Sequence, residues 1–254
     1  MSAKFWQKIK EITNLSLSLA KANFKLRTEG SYLGILWYLL DPLLMFVVLF
    51  IIFSQNLGSQ IAYFPIYLIL GLIMFNFFST ATTNALGAIT NNATFVKSIK
   101  INLESLVISL IIQTLYSHFF EIIIFAILLI FYGINPFYLL AYIPIIFFFS
   151  LMTLGLSFVL ATIGVYTSDL NHIWRFLTQI LFFATPIFYS IKKPNIIFIL
   201  NPLVYYLKIS RDLIIYHQRP TIGFCLIIIT MSLIIFSIGL FVFQKAKNKF
   251  AENL

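Results

Sequence analysis

Three ionisable residues stand inside long apolar runs of this sequence: Asp41, His118 and Glu121. His118 and Glu121 are three residues apart, so on a helix they share one face. An imidazole beside a carboxylate can relay a proton, or it can hold two helices together through hydrogen bonds. Asp41 precedes Pro42 and lies about 12 Å into its run, at about 1.5 Å per helical residue. Pro42 leaves the carbonyl of Tyr38 without its helical donor and predicts a kink. An ionisable group within a bilayer costs a few kcal/mol, which makes it a functional candidate by default. Asp41 fits a cavity-facing role. For His118 and Glu121, ion coupling and structural hydrogen bonding both stand, as does a protonated, neutral carboxyl.

Other chemistry is missing. No G-x-x-x-x-G-K-[ST] run is present to cradle nucleotide phosphates, and no glycine is followed by lysine. The single cysteine, Cys225, excludes a disulfide framework or a cysteine metal cluster, and His118, His172 and His217 are too scattered for a metal site. A membrane enzyme acting on lipid-linked sugars would gather acids and histidines at one face, and only Asp169 with His172 come near that. Energy must therefore come from an ion gradient or from another subunit.

The elements that carry these residues are those of an all-α polytopic membrane protein. The 254 residues are 61% hydrophobic and 10% charged, with 29 Phe and 13 Tyr, and the mean hydropathy is +0.98. A soluble domain has about 25% charged residues. The net charge of +9 does not point to nucleic acid, because the bases cluster at the ends of apolar segments. Runs long enough to cross about 30 Å of hydrocarbon predict six spans: Leu33–Phe53, Ile61–Thr83, Ser105–Phe131, Phe137–Val165, Ile173–Tyr189 and Thr221–Phe243. Turn residues separate them, as in Asn56–Ser59, Asn91-Asn92 and Gly133–Pro136. The whole chain, 1–254, reads as a single transmembrane domain without repeats. Its N-terminus lacks a compact apolar core before a small-residue cleavage site, so the first span is expected to direct insertion.

Lys and Arg set the orientation. The N-terminal stretch holds Lys4, Lys8, Lys10, Lys21, Lys25 and Arg27. Lys97 and Lys100 lie in the second connection, Arg175 in the fourth, and Lys245, Lys247 and Lys249 at the C-terminus, whereas the first and third connections are uncharged. Both termini are expected in the cytoplasm. Residues 190–220 fall outside by parity, yet they carry Lys192, Lys193, Lys208, Arg211 and Arg219. Asn201-Pro202 divides their apolar part into halves too short to span. They read as two short re-entrant helices buried by protein, or as an exposed, partly apolar loop.

Residues 4–26 have helical periodicity. Phe5, Ile9, Ile12, Leu19, Ala20 and Phe24 share one side and the lysines take the other. This predicts a helix lying on the cytoplasmic membrane surface (within residues 1–30), or a solvated helix packed on a partner.

In that context "LRTEGSYLGILWYLLDPLL" resembles the start of the first span in permeases of type-2 ABC exporters, in the branch for polysaccharide, lipopolysaccharide O-antigen, teichoic acid and capsule. Arg27, Ser31, Leu33, Gly34, Leu36, Trp37 and Pro42 match its pattern, with Asp41 where the family usually has Asn. "FFATPIFYS", with Pro186 and Tyr189, is similar to the family's fifth-span ending, and "NPLVYYLKISRDLIIYHQRP", with Asn201, Pro202 and Arg211, resembles the stretch after its re-entrant region. The order agrees over nearly the whole chain. Two departures stand out: no proline follows the second span, and Ser168-Asp169 replaces a common Arg-Asp, so only Asp169 carries over.

The resemblance implies a subunit that forms a homodimer in the bacterial inner membrane, among membrane lipid, and docks two copies of an ABC ATPase. That partner would bind ATP and Mg; no cofactor is expected in this chain. The segment 94–104 would be the cytoplasmic coupling helix, with Thr94, Phe95, Val96, Lys97, Ser98, Ile99 and Lys100 in the ATPase cleft and Asp169 flanking it. The cargo implied is a lipid-linked, O-antigen-like polysaccharide, and some of the many aromatic rings would serve as stacking surfaces for sugars. An exporter of drugs or small lipids is the nearest rival, and an ion-coupled transporter the next.

Overall fold

The computed structural model describes residues 2–28, 34–55, 58–98, 101–191 and 196–254, and every regular element among them is helical. The helices are α1 (Ser2–Thr28), α2 (Trp37–Phe53), α3 (Phe64–Leu86), α4 (Ala93–Ser98), α5 (Glu104–Phe131), α6 (Tyr142–Tyr166), α7 (Leu170–Ala184), α8 (Ile196–Leu200), α9 (Pro202–Ile214), α10 (Ile222–Ala246) and α11 (Phe250–Asn253). A helix satisfies its own backbone polar groups, which is what a chain with so little polar side-chain surface requires.

The bundle is built around α3. Every residue from Ile66 to Met74 is buried, and α2, α5, α6, α7 and α9 all pack on this helix. A helix apolar on all sides belongs in the interior. Four helices, counted with the short turns joined to them, are long and apolar enough to cross a membrane: Phe64–Leu86, Glu104–Phe131, Pro136–Tyr166 and Ile222–Asn253. The first and fifth predicted spans come out shorter. α2 has 17 residues and starts at Trp37 rather than Leu33. α7 has 15 residues, about 22 Å at about 1.5 Å per residue. It stops at Ala184 because the residue before a proline avoids the helical region, and Thr185 precedes Pro186. Two short helices, α8 and α9, do occupy the later part of 190–220, divided at Asn201.

Gly155 and Gly239 bring α6 and α10 together. A Cβ on Gly239 would stand 1.9 Å from the carbonyl oxygen of Gly155, and one on Gly155 would stand 2.5 Å from that of Ile235. Small residues that let backbones touch are how helices associate in lipid, where burial of apolar surface gives no driving force. Gly239→Val should therefore cost about 3 kcal/mol of stability, at the upper end for overpacking. Gly223→Ala, where a Cβ meets nothing within 4 Å, should cost far less. Thermal unfolding of the two purified variants in one detergent checks this, and equal melting temperatures would refute the close-packing role.

α1 forms as its periodicity predicts, but much of its apolar face is spent on protein. Contacts with α5 advance together along both helices: the Ser105 hydroxyl donates to the carbonyl of Ile12 at 3.3 Å, and Phe24 packs on Tyr116 and Phe120 with ring centres 5.8 and 6.3 Å away. α1 thus runs parallel to the first four turns of α5, with Ser16 and Ala20 fully buried between them. A helix lying flat on a membrane would keep that face for lipid; here Trp6, Ile9, Leu17 and Leu26 are the large apolar residues left exposed among the described side chains.

Candidate functional site

The end of the bundle that carries α4 is closed by a second, smaller core. Ile89, Val107, Phe158, Ala161, Phe243 and Phe250 are buried there, with Val96 of α4 and Leu19 of α1 packed against them. Phe250 is fully buried against Phe243, ring centres 5.4 Å apart. Lys247 pairs with Glu104 at 2.5 Å. This core holds α4 by one side chain and turns the rest outward. Phe95 is 60% exposed, and Thr94, Lys97 and Ser98 are exposed beside it. Asp169 is also exposed, at the start of α7. It follows the end of α6, where Val165 belongs to the same small core. An exposed phenyl ring beside a cation on a six-residue helix has the makeup of a docking knob. Ile99 and Lys100 lie outside the described residues.

At the approach to α2, Gly34 has φ of +48°, a left-handed conformation that glycine adopts without a Cβ penalty. Trp37 opens α2 half-exposed, and Pro42 sits buried inside it. Ser31 and the side chain of Arg27 lie outside the described residues. Asp41 is exposed and makes no hydrogen bond or ion pair among the described residues. It borders two cavities of about 80 and 210 Å³, and Asn76 of α3 lines both.

His118 and Glu121 do meet, and other helices close around them. His118 Nδ1 lies 3.0 Å from one Glu121 oxygen, and Asn76 Nδ2 donates to the other at 2.6 Å. His118 Nε2 lies 2.8 Å from the Tyr142 hydroxyl, and Thr80 donates to Asn76 Oδ1 at 3.3 Å. The chain Tyr142–His118–Glu121–Asn76–Thr80 joins α6, α5 and α3. Both ionisable members are buried, and both Glu121 oxygens are engaged, one by Asn76 and one by the imidazole. Such a fully connected network specifies how three helices sit together.

At the opposite end, Arg211 of α9 is the centre of a hub. It is 4% exposed and has no carboxylate partner among the described residues. Its Nη1 donates to the carbonyl of Pro186 at 2.6 Å, and its Nη2 donates to those of Tyr67 and Ile187 at 3.1 Å each. The guanidinium carbon lies 3.3 Å from the centre of the Tyr67 ring. Tyr67 in turn donates its hydroxyl to the carbonyl of Tyr189 at 2.7 Å. Asn201 caps α9: its Oδ1 accepts from Leu203 N at 3.0 Å, and its Nδ2 donates to Thr185 Oγ1 at 2.8 Å. Pro202 takes the first position of α9, where its missing N–H costs nothing. Pro186, Tyr189, Asn201, Pro202 and Arg211, separated in sequence, thus converge. Next to Arg211, half-burial raises the Asp212 carboxyl above its ordinary range, against the opposing pull of Lys208 and Arg211.

A bundle with several membrane-length helices, an exposed aromatic-and-basic knob and no phosphate-binding loop fits a transporter subunit, and the family says which kind. Residues 15–215 match the ABC-2 type transporter family. The chain belongs to that family. This ABC-2 transporter is 26% identical over 247 residues to the O-antigen export system permease protein RfbA of Myxococcus xanthus, covering 94% of this chain and 95% of that protein. It is also 27% and 26% identical to two proteins of the same name from Klebsiella pneumoniae, each across 100% of both chains.

Two parts of this ABC-2 transporter's sites carry no mark in the sequence. Tyr67 reads as one more aromatic residue of an apolar run, yet it stacks on the only buried arginine among the described residues. The C-terminal tail reads as a basic end, yet Phe250 and Lys247 fasten α4's surroundings to α5 and α10. The lone aromatic Phe250 among Lys, Asn and Ala was the available signal for the second.

Proposed function

We propose that this chain is the membrane subunit of an ATP-driven exporter that carries a lipid-linked, O-antigen-like polysaccharide from the cytoplasm across the bacterial inner membrane. The observation that carries this reading is the end-to-end likeness to proteins named O-antigen export permeases, within a family match of 15–215. Two copies form the permease, both termini face the cytoplasm, and two copies of a separate ABC ATPase bind ATP with Mg and drive the cycle.

In this reading α2 and α7, extended by the residues before and after them, complete six spans, and α8 with α9 dip in from the outer side and return. α2 exposes Leu44, Met45, Val47, Val48, Ile51 and Ile52, and α7 exposes Phe176, Ile180 and Phe183. Both helices pack on α3, so their apolar faces are available for a second copy and for the path between the two. Asp41, Asn76 and Ser79 are the polar residues that line the cavity there.

The cytoplasmic knob on α4 supplies the test. Phe95→Asp combined with Lys97→Glu changes only exposed side chains, so the fold should persist. Losing an aromatic anchor from an interface typically costs about 2 kcal/mol or more, roughly thirtyfold in affinity. Co-purification with the ATPase subunit and stimulation of its activity should both fall accordingly. If the double variant holds the ATPase as tightly as the parent, the coupling role of Thr94–Ser98 is wrong.

A further inference from the structure

The hub around Arg211 borders a cavity that its structural role does not use. The space measures about 470 Å³ and lies among α3, α8, α9 and the start of α10, within the roughly 300–1,000 Å³ of small-molecule sites. One side is aromatic: Tyr205 and Phe224 stack on each other with ring centres 5.8 Å apart and planes 27° from parallel. Lys208 holds its ammonium 5.3 Å from the centre of Phe224. Tyr67 and Arg211 form the floor. Arg211 Nε is buried and has no hydrogen-bond partner among the described residues, whereas Nη1 and Nη2 donate to backbone carbonyls. Asp212 lines the same space, and its carboxylate accepts no hydrogen bond among the described residues.

Three kinds of ligand can be compared against this lining. A phosphate would gain from Lys208 and Arg211 but would share the space with Asp212, in a partly desolvated site where like charges repel strongly. An acyl chain would suit the rings but would strand an ammonium and a carboxylate away from water, each a costly loss. A sugar ring suits both kinds of lining. Its apolar C–H face packs against the Tyr205–Phe224 pair, while its hydroxyls accept from Lys208 and donate to Asp212.

We propose that this cavity is a carbohydrate-binding subsite that takes a sugar ring or two, against the Tyr205–Phe224 pair and beside Lys208 and Asp212. The proposal rests on the polysaccharide-export reading for its source of sugars, which is the glycan being moved. Binding here is weak and repeated, as a path that must release its cargo requires.

The experiment uses the full-length permease with its ATPase subunit in lipid nanodiscs, titrated with maltose, cellobiose and chitobiose and followed by saturation-transfer NMR. At least one disaccharide should bind in the millimolar range, and Asp212→Asn and Phe224→Leu should each weaken it tenfold or more. Melting temperatures of the variants show that they are folded, since neither change removes a hydrogen bond. No binding by any of the three sugars, or binding that both folded variants leave intact, overturns the subsite. Competition by inorganic phosphate or by phosphatidylglycerol nanodiscs in place of sugar also overturns it. Export is scored separately by surface polysaccharide in cells. A parent that binds sugar here but exports none refutes the export reading alone, and a parent that exports but binds no sugar refutes the subsite alone.

Discussion

Arg211→Leu should destabilise the protein by about 3 kcal/mol and abolish export. The guanidinium ties α9 to α3 and to the turn after α7 at once, through the carbonyls of Pro186, Ile187 and Tyr67 and the face of the Tyr67 ring. Removing it leaves buried acceptors without donors, at about 1–3 kcal/mol each, and forfeits a desolvated cation–π contact worth about 2 kcal/mol. Against that loss, leucine relieves the cost of holding a charge away from water, which in a buried setting is itself several kcal/mol. The gross loss exceeds the relief because three carbonyls and one ring lose their partner together. Arg211→Lys should recover little. A point-charge ammonium cannot fork to Pro186 and Ile187 while lying flat on a ring. Gly71→Ala, which brings a Cβ within 2.7 Å of Arg211 Nη2, should show a milder form of the same defect. Thermal unfolding in detergent and surface polysaccharide in cells are the two measurements. A stable, exporting leucine variant would remove Arg211 from the list of residues that matter.

Apolar runs made the centres of the helices legible, because a membrane-length run has few other uses. The division of 190–220 was legible too: Asn201-Pro202 is a helix start in itself, with a side-chain oxygen to cap and a ring that needs no donor. Helix ends were less so. The end of α7 depends on Pro186, three residues short of Tyr189, where the predicted span stops. Partners across helices were invisible. Periodicity shows that α1 has an apolar face and that His118 and Glu121 share one, but not that α5 covers the first or that Asn76 and Tyr142 complete the second. The same holds for Arg211. The sequence offers a charge in an unexpected place, and only packing reveals that its partners are backbone carbonyls, which every residue has.

Glu121→Gln separates the two readings that the His118–Glu121 spacing allows. If the pair carried protons through the bilayer, a side chain that cannot release a proton would stop transport. The geometry argues for the opposite result. Glu121 accepts from Asn76 at 2.6 Å and meets His118 at 3.0 Å, His118 reaches the Tyr142 hydroxyl at 2.8 Å, and Thr80 closes the far side. Glutamine keeps one carbonyl oxygen for Asn76 and offers its amide to a neutral His118 ring nitrogen, so export should continue and should survive collapse of the proton gradient while ATP is maintained. Glu121→Leu keeps the volume and loses both bonds. It leaves buried donors on Asn76 and His118, about 1–3 kcal/mol each, so it should unfold several degrees earlier and reach the membrane in smaller amounts. A glutamine variant that folds normally but exports nothing would reverse the assignment and make this buried pair an ion-coupling site. Asp41→Asn, at the neighbouring cavity, belongs in the same series: it restores the amide usual in the resembling permeases, and the charge has no partner here to lose.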